Sequence, residues 1–471
     1  MGGFVGRESE LTSLTGLLDR VRATIGTDRP GRCLLVRGRR RVGKSRLLET
    51  FLDASGVPAL FFTASTQGRR ELALFAEEAR SSTLPGADLF QGVVPETWDA
   101  ALRMLDRALP VDQPAVVVVD EFPYLLADDP SLEGTFQKQW DRLLSRRPVL
   151  LVLVGSDLAM MEALDTHGRA FFQRGTELIV PPLSPRAVSD LVGAPSAADA
   201  FDAYLLTGGL PLICDDWPSG ATMWEYLESA FADPTSPLIV SAERVLAAEF
   251  PSTAQARDVL SQIGSGETTF STIARAAGGL QATSLERALG ILLDKRVVAR
   301  DLPLSAAPSR ETRYRVADPY LRFWLRFVGP HLAEIERGRG DRVLARVRSD
   351  WSSWRGRAVE PVVREALARL LPLGPLQGGA VGGYWTRTNH PEVDLVGADR
   401  GPIARRITFT GSIKWLENDP FEQRDLAVLA RDTLEIPGAD ASTLLVAVGR
   451  NGVTAQGAAW CLGPEDLIDA W

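Results

Sequence analysis

The chain has 471 residues, 45% of them hydrophobic and 24% charged, with a net charge of −8. This length exceeds a single ordinary core and predicts two to four globular domains, and the acidity argues against indiscriminate coating of nucleic acid. The longest apolar run, from Pro148, meets Asp157 before it can span a bilayer, no basic-then-apolar leader is present, and three scattered cysteines (Cys33, Cys214 and Cys461) offer no disulfide framework or zinc spacing; the expectation is a cytoplasmic protein without membrane contact.

Residues 8–24 carry the pattern of an amphipathic helix, and Arg32 to Arg37 that of a short apolar strand. A glycine-rich turn follows, then a helix from about Lys44 to Ala54. Further strands are expected at Ala59 to Thr63, Ala115 to Val119, Val149 to Val154 and Glu177 to Val180. Their continuous Val and Leu runs, without polar alternation, predict strands covered on both faces and hence a mainly parallel sheet. Past PPLSP, Pro181 to Pro185, the sequence turns helical to about Ala247. Residues 255–300 read as three short helices and a strand, with Gly278 to Ser284 as a turn before a helix. This is a helix-turn-helix pattern, with Val297–Asp301 and Thr312–Val316 placed to form a wing. From about Gly356 a helix precedes short strands at Gly383–Thr386, Val393–Gly397, Ile407–Trp415 and Thr443–Val448. The implied domains are 1–190 (α/β), 191–250 (helical lid), 251–330 (winged helix) and 331–471 (a basic helical linker and a second α/β domain).

Charge is distributed unevenly. From Arg310 to Arg357 twelve arginines face six acids, in an otherwise acidic chain. Such a segment serves either as a binding face or as the solvated side of ordinary helices. Lysine is confined to Lys44, Lys138, Lys295 and Lys414, which directs attention to sites where a compact ammonium is needed.

Two segments carry recognisable chemistry. GRRRVGKS, Gly38 to Ser45, has Gly-x-x-x-x-Gly-Lys-Ser spacing between an apolar strand and a helix. The backbone from Gly38 through Arg39, Arg40, Arg41, Val42 and Gly43 to Arg46 is expected to wrap phosphates, with amides at a helix N-terminus facing the anion. Lys44 would neutralise the β- and γ-phosphates, and the Ser45 hydroxyl would help hold Mg²⁺. The second segment, VVVVDE, ends a buried strand about 75 residues later. Asp120 is expected to hold the metal through water, and Glu121 to orient and deprotonate the attacking water. Ser156, at the end of the next strand, is placed to sense the γ-phosphate or simply to cap the strand. Arg169 and Arg174 are candidate arginine fingers, with Arg169 the preferred one.

FVGRESEL at the start, GRRRVGKS, VVVDEFPYL, LVLVGSDLAMME and TGGLP (Thr207 to Pro211), in that order, resemble the archaeal-type P-loop ATPase family. That family is similar to AAA+ proteins and to the signal-transduction ATPases with numerous domains (STAND). The resemblance implies a P-loop NTPase fold with ATP and Mg²⁺ as cofactors. Phe4, Val5, Gly6 and Arg7 would then border the base, and Gly208, Gly209 and Pro211 would lie in the lid. RYRVADPYLRFWLRFV, Arg313 to Val328, resembles the segment that follows the winged helix in members with a restriction-endonuclease-like C-terminal domain. In those relatives a helical Glu, a strand Asp and an acid-x-Lys hold Mg²⁺ and the scissile phosphate. Glu360, Asp394 and Lys414 fall at those places, but Ser412 replaces the acid before the lysine. A hydroxyl is a weak magnesium ligand, so a degenerate site is expected unless Glu417 or Glu422 supplies a migrated carboxylate.

Two functions are therefore weighed: an ATP-driven switch acting on a protein partner or on its own assembly, and a DNA-binding or DNA-processing enzyme acting on duplex DNA. A scaffold in which ATP is structural is a weaker third.

Overall fold

A computed structural model of the chain describes residues 5–65, 68–164, 166, 169, 174–250 and 254–471. The chain divides into two compact units, Gly3–Pro182 and Leu183–Trp471.

The first unit is an α/β core. Five strands, β1 (Arg32–Arg37), β2 (Ala59–Thr63), β3 (Ala115–Asp120), β4 (Val149–Gly155) and β5 (Gly175–Ile179), form a sheet in the order β2-β3-β4-β1-β5. Every pairing in it is parallel. All residues of β3 and β4 are buried, which explains why their sequences lack alternation: helices cover both faces. One face packs Leu35, Phe62, Val117, Val119, Leu151 and Leu153 against aromatic side chains including Phe75, Phe122 and Phe136. β4 is inserted between β1 and β3, so its C-terminal end lies between the ends of the two strands that carry the expected chemistry.

The second unit begins with helices between Pro185 and Glu249. Three helices follow, Ala254–Ser265, Phe270–Ala276 and Ala282–Asp294, and then an antiparallel pair, β6 (Val298–Asp301) and β7 (Arg313–Val316). Gly278 and Gly279 both have positive φ, 81° and 75°, and make the sharp turn before the third helix. The last sheet has the order β12-β11-β10-β9-β8, built from β8 (Ala380–Trp385), β9 (Glu392–Ala398), β10 (Ile407–Lys414), β11 (Leu444–Gly449) and β12 (Trp460–Leu462). β8, β9 and β10 form an antiparallel meander, whereas β11 pairs parallel to β10 after a crossover through the Gln423–Thr433 helix.

Two features differ from the sequence reading. The basic linker and the helix expected from about Gly356 are one rod, Gly340–Leu370, of 31 residues with Pro361 inside it. Proline has no N–H for the carbonyl four residues earlier. Here that carbonyl, of Arg357, accepts instead from the Arg322 guanidinium at 3.1 Å, so the helix continues. The other difference is β8, which starts three residues before the expected Gly383. Gly382 and Gly383 both lie inside the strand, where neighbours leave no room for a side chain: a Cβ on Gly383 would stand 2.7 Å from the Arg364 guanidinium.

The loop between β6 and β7 packs onto the last sheet. Leu304 N donates to Gly383 O at 2.9 Å, Ala306 N to Pro437 O at 2.8 Å, and Trp385 Nε1 to Glu311 O at 2.8 Å. Leu304 is buried within that domain's apolar cluster.

Candidate functional site

The loop from Gly38 to Gly43 links β1 to the Lys44–Ser55 helix, and its shape depends on backbone that ordinary residues avoid. Gly43 has φ 89°. Arg41 has φ 67°, a left-handed conformation that costs a residue with a Cβ roughly 1–2 kcal/mol. A Cβ on Gly38 would collide with Val180 O. Behind the loop, buried Arg7 donates to Val42 O and to Pro181 O, both at 2.8 Å, and pairs with Glu10 at 3.0 Å. The first helix and the chain after β5 thus clamp the loop through one guanidinium.

Lys44 is 6% exposed, and its ammonium donates to the loop carbonyls of Gly38 (2.8 Å) and Arg39 (3.0 Å). Burial lowers its pKa from the ordinary lysine value, against the opposing pull of Glu121 and Asp120, while Arg40 adds to the lowering. Asp120, at the end of β3, is fixed on both oxygens. One accepts from the Ser45 hydroxyl at 2.5 Å, the other from the Glu121 amide at 2.9 Å. Glu121 adopts φ 52°, turning the chain out of the strand and into the Phe122–Asp128 helix. A left-handed non-glycine residue at a strand end is the kind of strain that collects at functional sites. The Glu121 carboxylate accepts from Ser156 Oγ at 3.1 and 2.9 Å, which the strand order β3-β4-β1 makes possible.

The other residues singled out in the sequence lie as follows. Arg40 donates to the Tyr124 hydroxyl at 2.8 Å, Arg46 is exposed, and Val5 and Gly6 lead into the first helix. Phe4 lies outside the described residues. Arg169 forms a forked pair with Glu133 at 3.0 and 2.5 Å, and Arg174 pairs with Asp141 at 3.0 Å. In the second unit Gly208 and Gly209 have φ of 59° and 68°, and Pro211 opens a short helix, Pro211–Asp216. A Cβ on Gly209 would collide with Leu183 O. Tyr124 and the clamping carbonyl of Pro181 were not legible as site residues; only the FPYL run after Glu121 hinted at the former.

In the C-terminal domain Glu360 and Asp394 are electrostatic neighbours, and Ser412 Oγ donates to Asp394 at 3.0 Å. Burial first, then the charge of Asp394, raises the Glu360 carboxyl to about 7. Burial also raises Asp394, against bonds from the Ile413 amide and Ser412. Arg364, which the sequence did not single out, donates to Glu360 at 3.1 Å and to Asp394 O at 2.8 Å. Lys414 points elsewhere: its ammonium pairs with Asp425 at 2.8 Å. Glu417 pairs with Arg355 at 2.9 Å and Glu422 with Arg424 at 3.1 Å, so neither replaces the carboxylate lost at Ser412.

The strand order, the glycine loop and the acids at the end of β3 define the first unit as a P-loop NTPase-type core, joined in the chain to helical regions and a separate mixed-sheet domain. A family model described as archaea bacterial proteins of unknown function matches residues 324–426. An uncharacterized protein of Methanocaldococcus jannaschii is 24% identical over 444 residues, covering 91% of this chain and 90% of that one. Among solved structures, a Walker-type ATPase of Pyrococcus abyssi is similar with a TM-score of 0.49 and 20% identity, over 69% of this chain and 96% of that one. The ORC2 protein of Aeropyrum pernix, solved as ADPNP–ADP complexes, has a TM-score of 0.44 and 13% identity, over 74% of this chain and 98% of that one. Among the described residues no helix is long and apolar enough to cross a membrane.

Proposed function

We propose that this chain binds and hydrolyses Mg-ATP as a molecular switch, its nucleotide state controlling the helical, winged-helix and nuclease-like regions of the second unit. The observation that carries this reading is the paired arrangement of Ser45 on Asp120 and Ser156 on Glu121 beside a buried Lys44. The donors suit the cofactor: an exposed hydroxyl and a fixed carboxylate are hard oxygen ligands of the kind Mg²⁺ takes, usually with several waters retained. Mg-ATP supplies the activated γ-phosphoryl group; the chain supplies position and charge. The Lys44 ammonium would exchange the carbonyls of Gly38 and Arg39 for phosphate oxygens. Glu121 would accept the proton of the attacking water, with Ser156 holding its carboxylate in register. Arg169 would serve as an arginine finger only after leaving Glu133.

The test is steady-state Mg-ATP turnover by the full chain, with and without duplex DNA, against Lys44→Ala as the blank. Turnover lost in the blank and indifferent to DNA supports the switch, acting on a protein partner or on its own assembly. Turnover equal in the blank refutes the reading.

A second reading, an ATP-dependent nucleic-acid enzyme, draws on the last domain. Its order of long helix, three-strand meander, crossover helix and parallel strand, with Glu360 and Asp394 together, supports a restriction-endonuclease-like module. Cleavage is disfavoured, because Arg364 already pairs with Glu360 and Lys414 is held by Asp425. The three helices and the β6–β7 pair support a winged helix. Its wing loop is engaged by the nuclease-like sheet, so the wing acts here as a packing element.

A further inference from the structure

A cavity of about 330 Å³ opens between the end of the Ala254–Ser265 helix, β7 and the long Gly340–Leu370 helix. Four arginines line it (Arg315, Arg322, Arg326 and Arg357), and Asp350 is the one carboxylate among the lining residues. Two of the four are committed: Arg326 to Asp350 at 2.9 Å, and Arg315 to Asp301 at 2.8 Å. The other two are not. Arg322 gives one N–H to the carbonyl that Pro361 leaves without its helical partner, and among the described residues neither Arg322 nor Arg357 forms an ion pair. Of the charges around Arg322, Glu360 attracts it most, Arg315 and Arg357 repel it, and Asp301 attracts it more weakly. Gathering like charges in a concavity is unfavourable unless an anion joins them. Ser349 and Ser353 of the long helix add hydroxyls to the same wall.

We propose that this cavity binds a phosphate group through Arg322 and Arg357, with Arg315 at its edge. Planar guanidiniums suit phosphate oxygens, and each contributes paired N–H donors. Burial lowers the Arg322 pKa to about 10, which leaves it fully charged at neutral pH. The phosphate belongs either to a nucleic-acid backbone or to a free phosphoester. The site lies within the second unit and is independent of the ATPase reading.

The test uses the full chain carrying Lys44→Ala, so that phosphate binding at the P-loop is suppressed and a failure of either reading is separable from the other. To this parent are added Arg322→Gln and, separately, Arg357→Gln; Arg357 is exposed, so its variant should fold as the parent does. Two probes are compared: a fluorescent duplex of about 20 base pairs across a salt series, and millimolar inorganic phosphate by thermal shift. If the backbone is the source, each variant weakens duplex binding about tenfold and reduces the salt slope by about one. If a free phosphoester is the source, duplex binding is unchanged and the stabilisation by phosphate disappears in both variants. Equal responses of parent and variants to both probes overturn the proposal.

Discussion

Replacing Asp202 by Asn tests whether a buried charge network holds the second unit together. Asp202, in the Ala197–Thr207 helix, accepts from Arg355 of the long helix at 3.0 Å and from Arg450, just past β11, at 2.7 Å. Arg355 is fully buried and Asp202 is 5% exposed. Removing one partner of a buried pair costs about 3–5 kcal/mol, because the other charge is left unneutralised in a poor solvent. Glu417 would remain on Arg355 at 2.9 Å, but it is 53% exposed. An exposed carboxylate returns only about 0.2–1 kcal/mol, so the expected net loss is about 3 kcal/mol. For a unit of this size that corresponds to a fall in Tm of about 5 °C. The assay is thermal and urea denaturation of the full chain, at low and high salt. Because the network is buried, the loss should hardly change with ionic strength. A loss below about 1 kcal/mol, or one erased by salt, would refute the view that these two arginines depend on Asp202.

At the proposed nucleotide site, Glu121→Gln should lower Mg-ATP turnover by about 10²–10⁴-fold while nucleotide affinity, read by equilibrium binding, stays close to that of the wild type. Ser156→Ala, which only frees the Glu121 carboxylate, should lower turnover less, by about tenfold, in the same steady-state assay. Gly38→Ala should abolish nucleotide binding by equilibrium dialysis, since its Cβ meets Val180 O and the loop must move. For Glu360 the sign follows from burial, which raises its carboxyl from 4.5 to about 7. The folded chain therefore keeps a proton that the unfolded chain has lost, and this contribution to stability falls as pH rises from 4.5 through 7. Glu360→Gln should melt like the wild type at pH 5 and at a higher temperature at pH 8; equal melting differences at both pH values would contradict the assignment.

The P-loop and the VVVVDE strand were legible because each is a local solution to a local problem: wrapping an anion, and ending a buried strand on a carboxylate. What surrounds them was not. Arg41 takes a left-handed conformation where glycine would be expected, and nothing in its neighbours in sequence announces that. Arg7 was read as bordering the base, yet its guanidinium is placed by Val42 and Pro181, and the latter is 174 positions away. Pro361 lies inside the long helix, and only the distant Arg322 supplies the bond that its missing N–H would have made. Glu360 and Asp394 lie near one another, but the contacts of Arg364 with Glu360 and with the Asp394 carbonyl were invisible, since an i,i+4 Glu–Arg pair usually reads as a solvated helix face. Lys414 was assigned by resemblance, and its partner Asp425 depends on where the crossover helix begins.

The arginine-rich segment 310–357 shows how net charge in a sequence differs from charge on a surface. Arg313 pairs with Glu392, Arg315 with Asp301, and Arg355 with Asp202 and Glu417, all acids outside the segment. Arg326 and Arg346 pair with Asp350 and Glu334 within it, and Arg348 stands over the Trp224 ring at 5.4 Å. Part of the local excess is thus matched by carboxylates from the helical region, the wing and the last domain. These are the parts of the second unit that must be held together. Much of the positive charge therefore works as internal cohesion. Arg310, Arg337 and Arg342 remain exposed on the surface, whereas Arg322 and Arg357 share one cavity, the place proposed for an outside anion.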